Sequence, residues 1–107
     1  MLEKNILNEF DVTIVLDNME YLNQKIFVEY IVDNKKKSYY KIIFNYSDEN
    51  LINLKKYFSN EFVEGVKGFG KHIISNDVFH LILNVKTKSF ELITWDNSLF
   101  INGKLVC

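Results

Sequence analysis

The chain has 107 residues and a formal net charge of −1, with nearly half of its residues hydrophobic and a quarter charged. That balance suits one self-supporting domain, 1–107, and excludes intrinsic disorder, which needs low hydrophobicity and high net charge. Near-neutrality and the complete absence of Arg speak against strong nucleic-acid binding, because guanidinium forks to phosphate or guanine cannot form.

The chain also lacks Pro and Ala and is rich in Asn, Lys, Ile, Phe and Tyr. The missing residues have mostly GC-rich codons, so a gene from an AT-rich bacterial or phage genome is expected. Cys107 is the one cysteine, which offers no internal disulfide and no metal-site companion. The first residues, MLEKNILNEFD, carry early acids and no long apolar run, so no secretory signal is expected. No apolar run approaches the ~20 residues that span a bilayer. The expected compartment is a reducing cytoplasm, with no membrane partner.

In chain order, residues 2–10 are compatible with a turn or two of helix. FDVTIVLD (10–17) then alternates, with Phe10, Val12, Ile14 and Leu16 on one side; period-two patterning with β-branched residues predicts a half-buried strand. KIFVEYIVD (25–33) and SYYKIIFNY (38–46) alternate in the same way around the polar connection DNKKK, which predicts an antiparallel hairpin. Residues 48–62 change period. Leu51, Leu54, Phe58 and Phe62 fall at helical spacing after Ser47, Asp48 and Glu49, residues suited to a helix N-terminus. Gly65 is read as the C-terminal stop. Strands are predicted at 71–74, 78–85 and 89–95, and Asn102-Gly103 is read as a hairpin turn near the end. The expected fold is α+β: a mostly antiparallel, bent sheet of about six to eight strands with the 48–62 helix packed on one face.

Three clusters could carry chemistry. Gly65, Gly68 and Gly70 precede Lys71. A phosphate loop would have to open a helix, whereas this stretch leaves one and enters a strand, so a flexible connection is expected. His72 and His80 are the only histidines. A three-residue loop between their strands would set them opposite each other on one sheet face, where with Lys71 they could act as acid, base and charge stabiliser in metal-free RNA cleavage. A register one residue different would put them on opposite faces. A metal site needs further ligands; Asp77 is near only in sequence, and neither a metal nor a cofactor is expected. The third cluster, Lys35 to Lys41, interleaves lysines with Tyr39 and Tyr40 and could hold single-stranded nucleic acid, although a solvated hairpin tip accounts for it as well.

Phe27, Ile31, Tyr39, Ile43, Ile93 and Trp95 fall opposite the faces assigned to the core, and such residues either lie under a second layer or form a contact surface. The first functional expectation is therefore a non-catalytic protein-binding inhibitor. It would be an immunity protein that neutralises a bacterial toxin such as a nuclease, or a phage-type inhibitor of a host defence protein. Phe27, Tyr39 and Trp95 would form its contact face, with Asp48, Glu49, Glu61 and Glu64 at the rim facing a basic partner. A monomer or homodimer is expected. The alternatives are a small RNase-type toxin using His72, His80 and Lys71, and a nucleic-acid-binding module using Lys35 to Lys41.

Overall fold

The computed structural model describes residues 6–58 and 61–106, with only the backbone of Ile6 and Leu7. Eight strands follow in order: β1 (Ile6–Leu16), β2 (Met19–Val32), β3 (Ser38–Asn45), β4 (Val63–Gly68), β5 (Lys71–Ser75), β6 (Phe79–Asn84), β7 (Ser89–Thr94) and β8 (Leu99–Leu105). A 3₁₀ helix, Glu49–Tyr57, lies between β3 and β4. Every strand pairs antiparallel with its neighbours in sequence, and β8 returns to β1 in the register Phe10↔Leu105 to Leu16↔Leu99. The sheet is thus a closed barrel. The expected α+β architecture, an open bent sheet under a main helix, is corrected to an almost all-β one. Closure also consumes the terminal strand edges through which an open sheet could pair with a partner.

Alternation along the strands fills the barrel. Phe10, Val12 and Ile14 of β1, Ile26 and Val28 of β2, Leu81 of β6, Leu92 of β7 and Ile101 of β8 are buried inside. The faces read from period-two patterning are therefore the inward faces. Outward positions around the wall include Glu9, Asp11, Glu29, Lys41 and Glu91, and Lys25 bridges Glu9 at 3.6 Å and Asp11. The exterior mixes these charges with apolar residues such as Phe27, Ile31, Ile43 and Ile93. Among the described residues no helix is long and apolar enough to cross a membrane.

Four sequence expectations are displaced, each for a physical reason. The suggested helix over 2–10 is strand from Ile6 onward, and its earlier residues lie outside the described ones. The 48–62 helix is a shorter 3₁₀ segment. Asp48, whose side chain accepts the Asn50 N–H, caps it, and Ser47 instead hydrogen-bonds Gln24. The segment ends when Phe58 turns extended and inserts its ring between Phe44 and Phe79, at 4.5 and 5.2 Å. Leu51 and Leu54 are fully buried while Phe62 stays exposed.

Gly65 is not a helix stop but lies within β4. A Cβ there would sit 2.6 Å from the Tyr40 ring and 2.9 Å from the Ile73 carbonyl, so only Gly lets β4 close the wall at this height. Asn102-Gly103 is not a turn but the middle of β8. A Cβ at Gly103 would stand 1.9 Å from the Asp11 carbonyl oxygen, so Gly is needed where β8 crosses β1.

The alternating strand directions sort the turns between two ends. The β2–β3, β4–β5 and β6–β7 turns share one end, here the mouth. The β1–β2, β5–β6 and β7–β8 turns and the 3₁₀ helix share the other, the base. Leu51, Leu54 and Phe58 plug the base.

Charge is sorted the same way. Lysines outnumber acids at the mouth: Lys35, Lys36 and Lys37 on the β2–β3 turn, Lys67 and Lys71 on the β4–β5 hairpin, Lys86 and Lys88 on the β6–β7 turn, against Asp33 on the β2–β3 turn and Glu64, which pairs with Lys37. Acids dominate the base: Asp17, Glu20, Asp48, Glu49, Asp77 and Asp96, against Lys55 and Lys56. The net charge of −1 conceals a molecule that is positive at one end and negative at the other.

Candidate functional site at the barrel mouth

An eight-stranded barrel is just wide enough either to be filled by side chains or to hold one small ligand. This one does both: Leu51 and Leu54 fill the base beside a smaller cavity of about 210 Å³ among Tyr57, Phe58, Val63 and Phe79, and the mouth opens into a cavity of about 270 Å³. Phe10, Val28, Leu83 and Leu105 give the cavity apolar walls.

An aromatic group stands above them. Tyr30 of β2 and Tyr40 of β3 are register partners with rings 5.1 Å apart. His72 of β5 meets both edge-on, at 5.1 and 5.4 Å. The Tyr40 hydroxyl and His72 Nδ1 are hydrogen-bonded at 2.5 Å, and the Tyr30 hydroxyl lies 3.2 Å from Ser38 Oγ. Burial, then the positive charge of Lys67, holds the His72 pKa below its ordinary 6.5. Burial, then the neighbouring Tyr30, raises that of the Tyr40 phenol, so the site favours the neutral form of both groups. With the His72 proton on Nε2, Tyr40 donates to Nδ1 and an N–H donor remains.

The rim is cationic. Lys67 and Lys88 line the mouth with Asn8, Asn84 and Ser89, and the Lys67 ammonium stands 5.8 Å from the Tyr30 ring centroid. Among the described residues no carboxylate lines this cavity. The site therefore offers an apolar body, neutral hydrogen-bonding groups and two positive charges at the entrance.

The candidate residues from sequence are dispersed. His72 faces inward opposite Leu83, whereas His80 faces outward opposite Ser75 near the base. Lys71 faces outward at the mouth. The catalytic trio does not converge, because the actual register puts the two imidazoles on opposite faces. His80 lies against Trp95 with ring centroids 5.7 Å apart, and its buried Nδ1 has no hydrogen-bond partner among the described residues. Trp95 Nε1 donates to the Asn76 carbonyl at 2.6 Å.

Phe27 and Tyr39 are half-buried on the outer β2–β3 wall, beside Ile43 and Ile31. Trp95 follows β7, halfway around the barrel, so these three aromatics cannot form one surface. Glu64 neighbours Tyr39 and pairs with Lys37 at 3.6 Å. Asp48, Glu49 and Glu61 lie at the base. Lys35 to Lys37 form the β2–β3 turn, while Lys41 lies on the wall. No group of three His, Cys, Asp or Glu among the described residues could hold a metal ion.

Sequence reasoning missed Tyr30, Lys67 and Lys88, and placed Tyr40 only in the Lys35 to Lys41 cluster. The two tyrosines carried a signal, since a phenol on a core face needs a polar partner and such residues often mark a wet boundary. Lys67 was hidden in a glycine-rich stretch read as a connection. Compared with protein-family models, curated proteins and solved structures, the chain matches none.

Proposed function

We propose that the chain is a binding protein that takes one small molecule, apolar in body and anionic at one end, into the open mouth of its barrel. One observation carries this reading: a cavity of about 270 Å³ walled by apolar side chains whose charged lining residues are Lys67 and Lys88. Ligand pockets are typically concave and apolar with a few placed polar groups, and those for drug-sized molecules begin near 300 Å³. This volume suits something smaller, such as a medium-chain carboxylate or a single-ring aromatic acid. The lysines would neutralise the anionic end, and Tyr30, Tyr40 and His72 would orient it. In this reading the role is binding: His72 Nδ1 is engaged by the Tyr40 hydroxyl, and the polar groups serve to orient the ligand. The reducing cytoplasm is the compartment this reading assumes.

Thermal unfolding in the presence of octanoate, octanol and octylamine tests it. Octanoate is expected to raise the melting temperature, octanol to act more weakly and octylamine not at all; saturation a hundred-fold above Kd corresponds to about 2.7 kcal/mol. Lys67→Met with Lys88→Met is expected to erase the preference for the acid. Equal responses to all three compounds, or none, would refute the reading.

A second reading keeps the protein-binding inhibitor, of toxin or defence type, and moves its contact face. Val78, Ile93 and Trp95 are exposed together on the outer β6–β7 side, beside the unpartnered His80 Nδ1. An exposed apolar patch with an aromatic anchor favours a protein partner.

A further inference from the structure

The β4–β5 hairpin carries an apolar side chain where none is needed for folding. Phe69 is 103% exposed, and its backbone φ of 53° lies in the left-handed region, as does that of Gly70 at 75°. Both central residues of this two-residue turn therefore adopt the conformation that Asn-Gly supplies best and that a bulky residue resists. Phe69 neither packs on the barrel nor suits its turn.

Its surroundings indicate what it meets. Val66 and Val85 are also strongly exposed at this end, and each apolar position has a lysine next to it or close by: Lys67 beside Val66, Lys71 beyond Phe69, Lys86 beside Val85. The mouth therefore presents an apolar tip within a cationic ring, while the exposed apolar groups at the base lie among acids.

We infer that the mouth docks on an anionic lipid surface, Phe69 entering the interfacial layer and the surrounding lysines meeting the headgroups. Charge complementarity selects this occupant: clustered lysines are attracted to anionic leaflets, and apolar side chains projecting among them are anchored by the same interface. The acidic base fixes the orientation, because an anionic surface repels it. Docking in this pose brings the cavity opening to the lipid face. The inference stands on the tip and the charge ring, and its test uses no cavity ligand, so it can fail without the ligand reading failing.

The test is co-sedimentation with phosphatidylglycerol vesicles, with phosphatidylcholine vesicles and single-stranded RNA as comparators. The chain is expected to sediment with the anionic vesicles, to be released by salt, and to remain free of the neutral ones. Lys67→Glu is expected to weaken binding at least five-fold. Phe69→Asn is the decisive variant. It creates an Asn-Gly turn, so it is expected to raise the melting temperature while weakening vesicle binding roughly ten-fold. Failure to sediment with anionic vesicles at low salt, undiminished binding by Phe69→Asn, or RNA displacing the vesicles would overturn the inference.

Discussion

His72 shows how one residue reports the state of the mouth. Its ring is wedged edge-on against Tyr30 and Tyr40, with Nδ1 bonded to the Tyr40 hydroxyl. Burial and the nearby Lys67 lower its pKa from the ordinary 6.5. An imidazole depressed in the folded state is protonated first in the unfolded chain. Folding stability is therefore full above about pH 6.5 and falls as the pH drops toward the folded-state value. Urea unfolding from pH 8 to 5 is expected to show this decline, and His72→Gln is expected to flatten it; an unchanged profile would place the imidazole in water. Gly65 and Gly103 make a complementary point. Each looks like a chain breaker in sequence, and each is a strand residue whose missing side chain lets another element approach. Nothing local in VEGVKG or INGKL reveals that, because the crowding atoms belong to Tyr40, Ile73 and Asp11.

At the scale of elements, the 3₁₀ helix is a plug. Leu51 and Leu54 are fully buried under the base, while Ile52 on the same segment is half exposed. Leu54→Ala is expected to cost roughly 3 kcal/mol in urea unfolding, and Ile52→Ala to stay within about 0.5 kcal/mol. Similar losses at both positions would mean that the segment acts through helix propensity and not through packing. Much of the element pattern was legible: the inward faces of β1, β2 and β3 follow from alternation alone, because the side-chain period of a strand is two. The helix was over-read because Phe58 and Phe62 continue the spacing of Leu51 and Leu54, although Phe58 leaves the helix to reach Phe44 and Phe79. β4 was under-read because two glycines and a lysine carry no alternation, and it pairs with β3 over only Ser38–Tyr40.

At the scale of the molecule, the decisive features are non-local. The β1–β8 pairing joins residues at opposite ends of the sequence, and closure turns a sheet face into a cavity wall. Composition reports a sum, and the sum of −1 hides lysines gathered by three turns at the mouth and acids gathered at the base. A net charge alone therefore says nothing about where on the surface the charges lie. His72 and His80 were visible as candidates, but the register that separates them was not, and neither was the splitting of Phe27 and Tyr39 from Trp95 by half the barrel.

The central claim is that the functional opening is the cationic mouth. Titration of ¹⁵N-labelled protein with octanoate, followed residue by residue in amide spectra, tests it most directly. Saturable shifts are expected at Tyr30, Tyr40, Lys67, His72 and Lys88, with Asn76 and Trp95 at the base unmoved. Shifts centred on Trp95, or an unchanged mouth at saturating octanoate, would contradict it.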